Sequence, residues 1–344
     1  MNVNGKMSSN SRNTNIEIFR LLLMLGICFW HVLVHGFNVK MVGQEPLGVL
    51  PPPLIVVFLC AFLSPATYCF MFISGYYGMR VSKRKTMSFV YMAFFCFFVG
   101  SLTKYFIFGL VSWGGIARHI FPIATVQWWF LTGYMMVYLI SPFINKGVEV
   151  MPKKDFDYIL LLMTGLEVFS IIALKRGTGS DFYGLLYIYV LGRYMRKYDI
   201  CLGRLTNILI YIGCLIILTC FLYVFWTFPM PYNRLFFFAL GYNNPLIILM
   251  AVTMFFMVKN LRPIHIPSIN MLLVPILYVY LLTEIIGMPL YQYEAEMLQH
   301  NLWGGIALVI VVVIVCLIVG KLGNMLLDCV LNMYNRNSCA LSGQ

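Results

Sequence analysis

Hydrophobic runs of about 20 residues recur from one end of the chain to the other, each long enough to cross a hydrocarbon layer of roughly 30 Å. A single water-soluble core cannot absorb so much apolar surface. Of the 344 residues, 61% are hydrophobic and 10% charged, whereas a soluble domain carries roughly 25% charged residues. The runs fall at 16–37, 54–76, 87–108, 128–143, 159–174, 182–194, 208–228, 236–258, 271–288 and 302–322. In lipid every backbone polar group needs an internal partner, and barrel strands alternate and are about half as long, so the runs predict helices. The expected fold is all-α, a polytopic transmembrane helical bundle of about ten spans. The fifth and sixth runs are short for full crossings and fit a re-entrant pair as well.

Charge then orients the bundle. The net charge of +12 does not point to nucleic acid, because the basic residues sit in short loops between apolar runs rather than on one soluble face. With the N-terminus in the cytoplasm, seventeen Lys and Arg fall on that side and six on the other, Arg20 aside. That bias predicts both termini inside. The polar start lacks the charged, apolar, small-residue order of a cleavable signal, so the first run reads as an uncleaved span. The expected organisation is a cytoplasmic tail over 1–15, a membrane domain over 16–327 and a second cytoplasmic tail over 328–344, in the cell inner (plasma) membrane. Ten cysteines lie mostly within apolar runs. They show neither CxxC pairs nor zinc-ligand spacing and read as small packing residues.

Ionisable groups inside a bilayer cost several kcal/mol unless they are paired or hydrated, which makes each a functional candidate. Four stand out: Arg20, His31, Glu167 and Glu284. Ten residues separate Arg20 from His31, so at about 100° per residue they lie about 20° from three full turns and share one face of the first helix. The rise between them is roughly 16 Å, which places Arg20 near the cytoplasmic interface and His31 around or beyond the midplane. This pattern predicts a hydrophilic seam running from an anion site to a base. A guanidinium holds a phosphate or carboxylate in two-point fashion, and neutral imidazole removes a proton from a hydroxyl. The plainer reading is that Arg20 snorkels to lipid phosphates and His31 bonds a neighbouring helix. Glu167 or Glu284 is expected to pair with His31 or Arg20, or else to make a helix-packing hydrogen bond. His35 is one turn beyond His31, but no third ligand is evident and no metal is expected.

Ser74 and Gly75 close the second run just ahead of Arg80, Lys83, Arg84 and Lys85. Small residues followed by four cations fit either a cradle for the phosphates of a nucleotide-like donor or a topology signal in contact with lipid headgroups. Gln127-Trp128-Trp129 reads as an interfacial aromatic anchor.

These residues together resemble acyltransferase family 3, the membrane-bound acyltransferases. Asn15-Ile16-Glu17-Ile18-Phe19-Arg20 leading through ten residues to His31 is similar to that family's R-x10-H signature. The resemblance continues through Ile73-Ser74-Gly75-Tyr76, Trp129-Phe130-Leu131, Tyr138-Leu139-Ile140-Ser141-Pro142-Phe143, Tyr242-Asn243-Asn244-Pro245-Leu246, Lys259-Asn260-Leu261 and Tyr278-Val279-Tyr280-Leu281 to Glu284, and so covers nearly the whole chain. Thr283 and Gln127 depart from it, standing where histidines are expected. The resemblance implies an acyltransferase domain over 16–327 of a bacterial cell envelope, which moves an acyl group, usually acetyl from acetyl-CoA, to a hydroxyl of a surface polysaccharide or glycolipid. On this reading His31, Arg20 and Glu284 are catalytic. Arg20, Ser74, Gly75, Arg80, Lys83, Arg84 and Lys85 bind the donor, and membrane lipids surround the protein. The alternative from another class is a transporter or flippase for lipid-linked sugars, for which paired half-repeats or interrupted helices are expected.

Overall fold

The computed structural model describes residues 12–37, 54–109, 122–123, 125–169, 181–227 and 241–342. Every regular element among them is helical. Helix α1 (Thr14–His31) runs on into a π-helical turn (Val32–Gly36). It is followed by α2 (Leu54–Leu63), α3 (Ala66–Tyr77), α4 (Lys83–Phe108), α5 (Trp129–Val150), α6 (Lys153–Phe169) and α7 (Phe182–Lys197). The second half comprises α8 (Arg204–Thr227), α9 (Pro245–Lys259), α10 (Pro267–Leu272), α11 (Ile276–Ile286), α12 (Met288–His300) and α13 (Leu302–Ser342).

Six segments among the described residues are long and apolar enough to cross a membrane: Thr14–Gly36, Leu54–Tyr77, Lys83–Phe108, Arg204–Val224, Pro267–Ile286 and Leu302–Met333. Pro245–Lys259 is a shorter apolar helix. It occupies the second half of the run expected at 236–258, whose first residues lie outside the described ones. The fifth and sixth expected runs become α6 and α7, of 17 and 16 residues, or about 25 Å each. That is less than the roughly 30 Å hydrocarbon layer.

Two expected spans are interrupted rather than continuous. The run at 54–76 breaks between α2 and α3, where Pro65 caps α3 and the Ser64 hydroxyl donates to the Ala61 carbonyl at 2.9 Å. The run at 271–288 breaks at Pro275, which caps α11. Proline has no amide hydrogen to give the preceding turn and clashes with it, so a helix restarts at that residue. Helix α12, opened by Pro289 after Gly287, begins where the run expected at 271–288 ends.

The bundle is layered around α1 and α3. Nearly every α3 side chain from Ala66 to Tyr76 is buried. By contrast α4 and α13 present large apolar side chains outward, among them Phe98, Phe106, Trp303 and Val311, as lipid-facing helices do. The approach of α3 to α7 depends on two glycines. A Cβ on Gly75 would run into the Tyr189 carbonyl, and one on Gly192 would lie 2.7 Å from the Tyr76 amide nitrogen. Small residues that let two helix backbones meet supply the van der Waals contact that holds membrane helices together. Arg12 and the start of α1 are clasped by the 260–270 segment. The Thr14 amide donates to the Ile264 carbonyl (2.8 Å), the Ile266 amide to the Thr14 hydroxyl (2.7 Å), and the Asn270 side chain to the Arg12 carbonyl (2.9 Å). Gly192→Leu should therefore separate α3 from α7 and cost about 1–3 kcal/mol, the usual range for overpacking. A lowered thermal-unfolding midpoint of the detergent-solubilised protein is the expected outcome.

Candidate active site

The predicted face of α1 is realised. Arg20, Met24, Ile27 and His31 follow one another at helical spacing, and the last three line a narrow cavity. The opposite walls come from Thr67 and Phe70 of α3, Trp129 and Phe130 of α5, Tyr242 ahead of α9, and Leu277 and Tyr280 of α11. The cavity volume is about 10 Å³, roughly room for one water. The expected hydrophilic seam is thus polar only at its ends. Between Arg20 and His31 the walls are apolar and aromatic, because Met24 and Ile27 occupy the intervening turns.

His31 is 6% exposed, and its surroundings explain how an imidazole is kept there. Its Nδ1 lies 3.1 Å from the Tyr291 hydroxyl, which donates to Glu284 Oε2 at 2.8 Å. Glu284 itself is 3.7 Å from Nδ1, too far for a good direct hydrogen bond. A phenol has one proton. Since Tyr291 gives its proton to the carboxylate, its oxygen accepts from Nδ1–H, and the imidazole is fixed in the tautomer that carries its lone pair on Nε2. Glu284 and Tyr291 come from the two sides of the Gly287 turn. That turn takes φ +64° at Gly287, a region where side chains are strained.

The π-turn after His31 brings α12 into range. The Phe37 amide reaches back five residues to the Val32 carbonyl, and Gly36 packs directly on the α12 backbone at Tyr291, with space for a Cβ closed off by Ala295 at 2.8 Å. π-turns inside α-helices gather at functional sites. His35 stacks on Tyr291 with ring centres 5.9 Å apart and lies 5.5 Å from His31. Among the described residues no group of three or more His, Cys, Asp and Glu converges as metal ligands do. Glu167 does not join this chain. It is buried on α6 beside Asn243, which hydrogen-bonds it.

At the other end of the cavity Arg20 is 27% exposed and bonded to Glu17 at 3.1 Å. Its guanidinium stacks on Phe70 at 4.8 Å, the same ring that lines the cavity. One turn further along α3, the Ser74 hydroxyl lies 3.3 Å from that of Tyr134, while Gly75 is occupied in packing against Tyr189. Other cations converge here that the sequence marked only as topology signals. Arg196 lies over the Tyr76 ring at 5.3 Å with Nη1 3.5 Å from its hydroxyl, and Lys259 sits 5.9 Å from the same ring. Arg193 borders Gly78, and Tyr77 lies within electrostatic reach of both Glu17 and Arg196. Arg193 and Arg196 stand one turn apart on α7, but only the packing of α7 and α9 on α3 brings them and Lys259 to Arg20's end.

The basic loop that follows is held in place by backbone bonds. The Met79 amide donates to the Tyr189 hydroxyl (3.0 Å), the Asn145 side chain to the Met79 carbonyl (3.0 Å), and the Ser82 amide to the Tyr138 hydroxyl (3.0 Å). Arg80, Lys83, Arg84 and Lys85 are all exposed beyond it. Arg84 is drawn to Asp328 of α13 at 2.6 Å. The structure therefore sets Arg20 on Phe70 of the cavity wall with Ser74 one turn further along α3, and places Glu284 behind His31, which lines the cavity.

A buried, oriented imidazole lines the cavity, and cations gather at the neighbouring Phe70 and Tyr76 rings. Residues 13–321 match the family model described as an acyltransferase domain, acyltransferase family 3. The chain belongs to that family and is a membrane acyltransferase. No match was found among curated proteins or among solved structures. Tyr291, unmarked by any sequence motif, is the residue that the Glu284–His31 connection requires. Its clue was the amphipathic spacing of Leu290, Tyr291 and Ala295 after a Gly-Met-Pro helix start. Tyr291→Phe should cut the acyl-transfer rate on the order of 10- to 100-fold, since a hydrogen bond to a charged group is worth about 1.5–3 kcal/mol. The check is initial-rate measurement on purified enzyme, with unchanged thermal unfolding.

Proposed function

We propose that this acyltransferase moves acetyl from cytoplasmic acetyl-CoA to a hydroxyl of a surface polysaccharide, glycolipid or related acceptor, working in the inner (plasma) membrane of a bacterial cell. The observation that carries the reading is the chain Glu284–Tyr291–His31, which holds Nε2 as a base. His31 removes the acceptor's proton, and the hydroxyl oxygen attacks the thioester carbonyl. The carbon–sulfur bond then breaks and the proton passes to the departing CoA thiolate. Transfer through an acyl-imidazole on Nε2 uses the same tautomer.

The donor's phosphates bind at the opposite end. Arg20, Arg193, Arg196 and Lys259 supply charge there, with Arg80 on the loop beyond, Lys83, Arg84 and Lys85 in the first turn of α4, and Ser74 and Gly75 in the last turn of α3. One feature favours a sugar acceptor. Trp129 and Tyr242 line the cavity and stack with ring centres 5.3 Å apart, aromatic surface of the kind on which sugar rings pack.

Membranes carrying the protein should transfer label from acetyl-labelled CoA to envelope glycan. His31→Ala should abolish that transfer while leaving membrane insertion intact, and full transfer by this variant would refute the assignment. A transporter or flippase would leave the labelled donor unconsumed. Arg196→Ala should raise KM for acetyl-CoA about 10-fold with kcat little changed, one charge-assisted contact being worth about 1.5–3 kcal/mol.

A further inference from the structure

Thioester transfer develops negative charge on the carbonyl oxygen whether the attacking group is a hydroxyl or an imidazole, and hydrogen-bond donors aimed at that oxygen are commonly the largest catalytic contribution. Two sets of donors line the cavity opposite His31. Tyr280 is 5% exposed, its ring centre is 6.3 Å from that of His31, and its hydroxyl is buried without a hydrogen-bond partner. An orphaned buried hydroxyl of this kind costs about 1–3 kcal/mol, a burden that function explains.

The second set is the start of α5. Its first amides, at Trp129, Phe130 and Leu131, precede the first intrahelical bond, in which the Thr132 amide donates to the Trp128 carbonyl. Trp128 caps the helix without a side-chain hydrogen bond, and the amides of Trp129, Phe130 and Leu131 have no backbone carbonyl partner among the described residues, that of Phe130 facing the Tyr280 hydroxyl instead. The helix has 22 residues, so the positive end of its dipole adds to these N–H groups. The Trp128 indole, donating to the Leu281 carbonyl at 3.2 Å, ties this helix start to α11 next to Tyr280. Tyr280 and Phe130 rings meet edge to face at 5.9 Å, and the hydroxyl lies beside the Phe130 amide.

We infer that the Tyr280 hydroxyl and the amides opening α5, Phe130 foremost, form the oxyanion site of this enzyme, receiving the thioester carbonyl oxygen across the cavity from His31. The inference rests on the acyl-transfer reading above and adds Tyr280 as a catalytic residue. As the new carbon–oxygen (or carbon–Nε2) bond forms, the carbonyl π electrons move onto that oxygen. There they are met by Tyr280 O–H and backbone N–H, and they return to the carbon as the carbon–sulfur bond breaks. Neither donor gives up its proton.

The test compares wild type, His31→Ala and Tyr280→Phe in detergent, measuring label transfer from acetyl-CoA and thermal unfolding. Loss of one oxyanion donor should lower kcat of Tyr280→Phe on the order of 100-fold with KM for acetyl-CoA within about 2-fold. Because the hydroxyl makes no internal bond, its removal should leave the unfolding midpoint unchanged or raise it. That combination of slower and at least as stable is not what loss of a structural hydroxyl produces. If wild type transfers label, His31→Ala does not, and Tyr280→Phe keeps kcat within about 3-fold, the oxyanion assignment is overturned and the acyl-transfer reading stands. If Tyr280→Phe slows only in step with a lowered unfolding midpoint, the hydroxyl is structural and the assignment is again overturned. If wild type consumes no acetyl-CoA, both fall.

Discussion

An ionisable side chain persists inside a hydrocarbon layer only where the protein supplies what water would otherwise give it. Much of this structure is organised around meeting that demand for one helix. In its second turn Arg20 is provided with a carboxylate and an aromatic face. Eleven residues on, His31 is provided with a phenol and, behind it, a second carboxylate. Each solution draws on a different part of the chain: Glu17 from the same helix, Phe70 from α3, Tyr291 and Glu284 from the two sides of a glycine turn near residue 287. The same packing that satisfies these groups excludes lipid from the space between them, which is why a cavity survives there.

The proposed reaction requires that an anionic, water-soluble donor and a hydroxyl acceptor meet within a protein shielded by lipid. Aromatic side chains are the material used to build such a meeting place here. Trp129, Phe130, Tyr242 and Tyr280 fill space as hydrocarbons do while offering edges, faces and occasional polar atoms. The cation cluster is built differently, from side chains on several helix ends that lean on one tyrosine ring. On the proposed reaction, a dry middle and a charged surround let the thioester approach while its phosphates stay hydrated.

What could be read from the chain, and what could not, follows from the range of the interactions. Apolar runs and the shared face of Arg20 and His31 are local properties of a helix, so counting residues was enough to find them. The role of Glu284 was half legible: its burden as a membrane carboxylate was plain, but its link to His31 runs through Tyr291, which sits in a helix with polar composition and no motif. Arg193, Arg196 and Lys259 looked like orientation signals because each is basic at a span end. That they cluster is a consequence of two glycines letting α7 lie against α3, a contact between residues more than a hundred positions apart. The breaks at Pro65 and Pro275 were visible as residues, yet the apolar content on either side disguised them as continuous spans.

Gly36 has a mechanical consequence beyond allowing two backbones to touch. A transmembrane helix can tilt or slide to match the thickness of its bilayer, and a catalytic pair divided between two such helices would drift out of register as it did so. Here the C-terminal end of α1 is keyed through Gly36 into α12 at Tyr291 itself, so any tilt of the first helix carries the phenol with the imidazole. The geometry of the base is thereby insulated from the lipid composition around it, and adjustments to the membrane fall on the outward-facing α4 and α13.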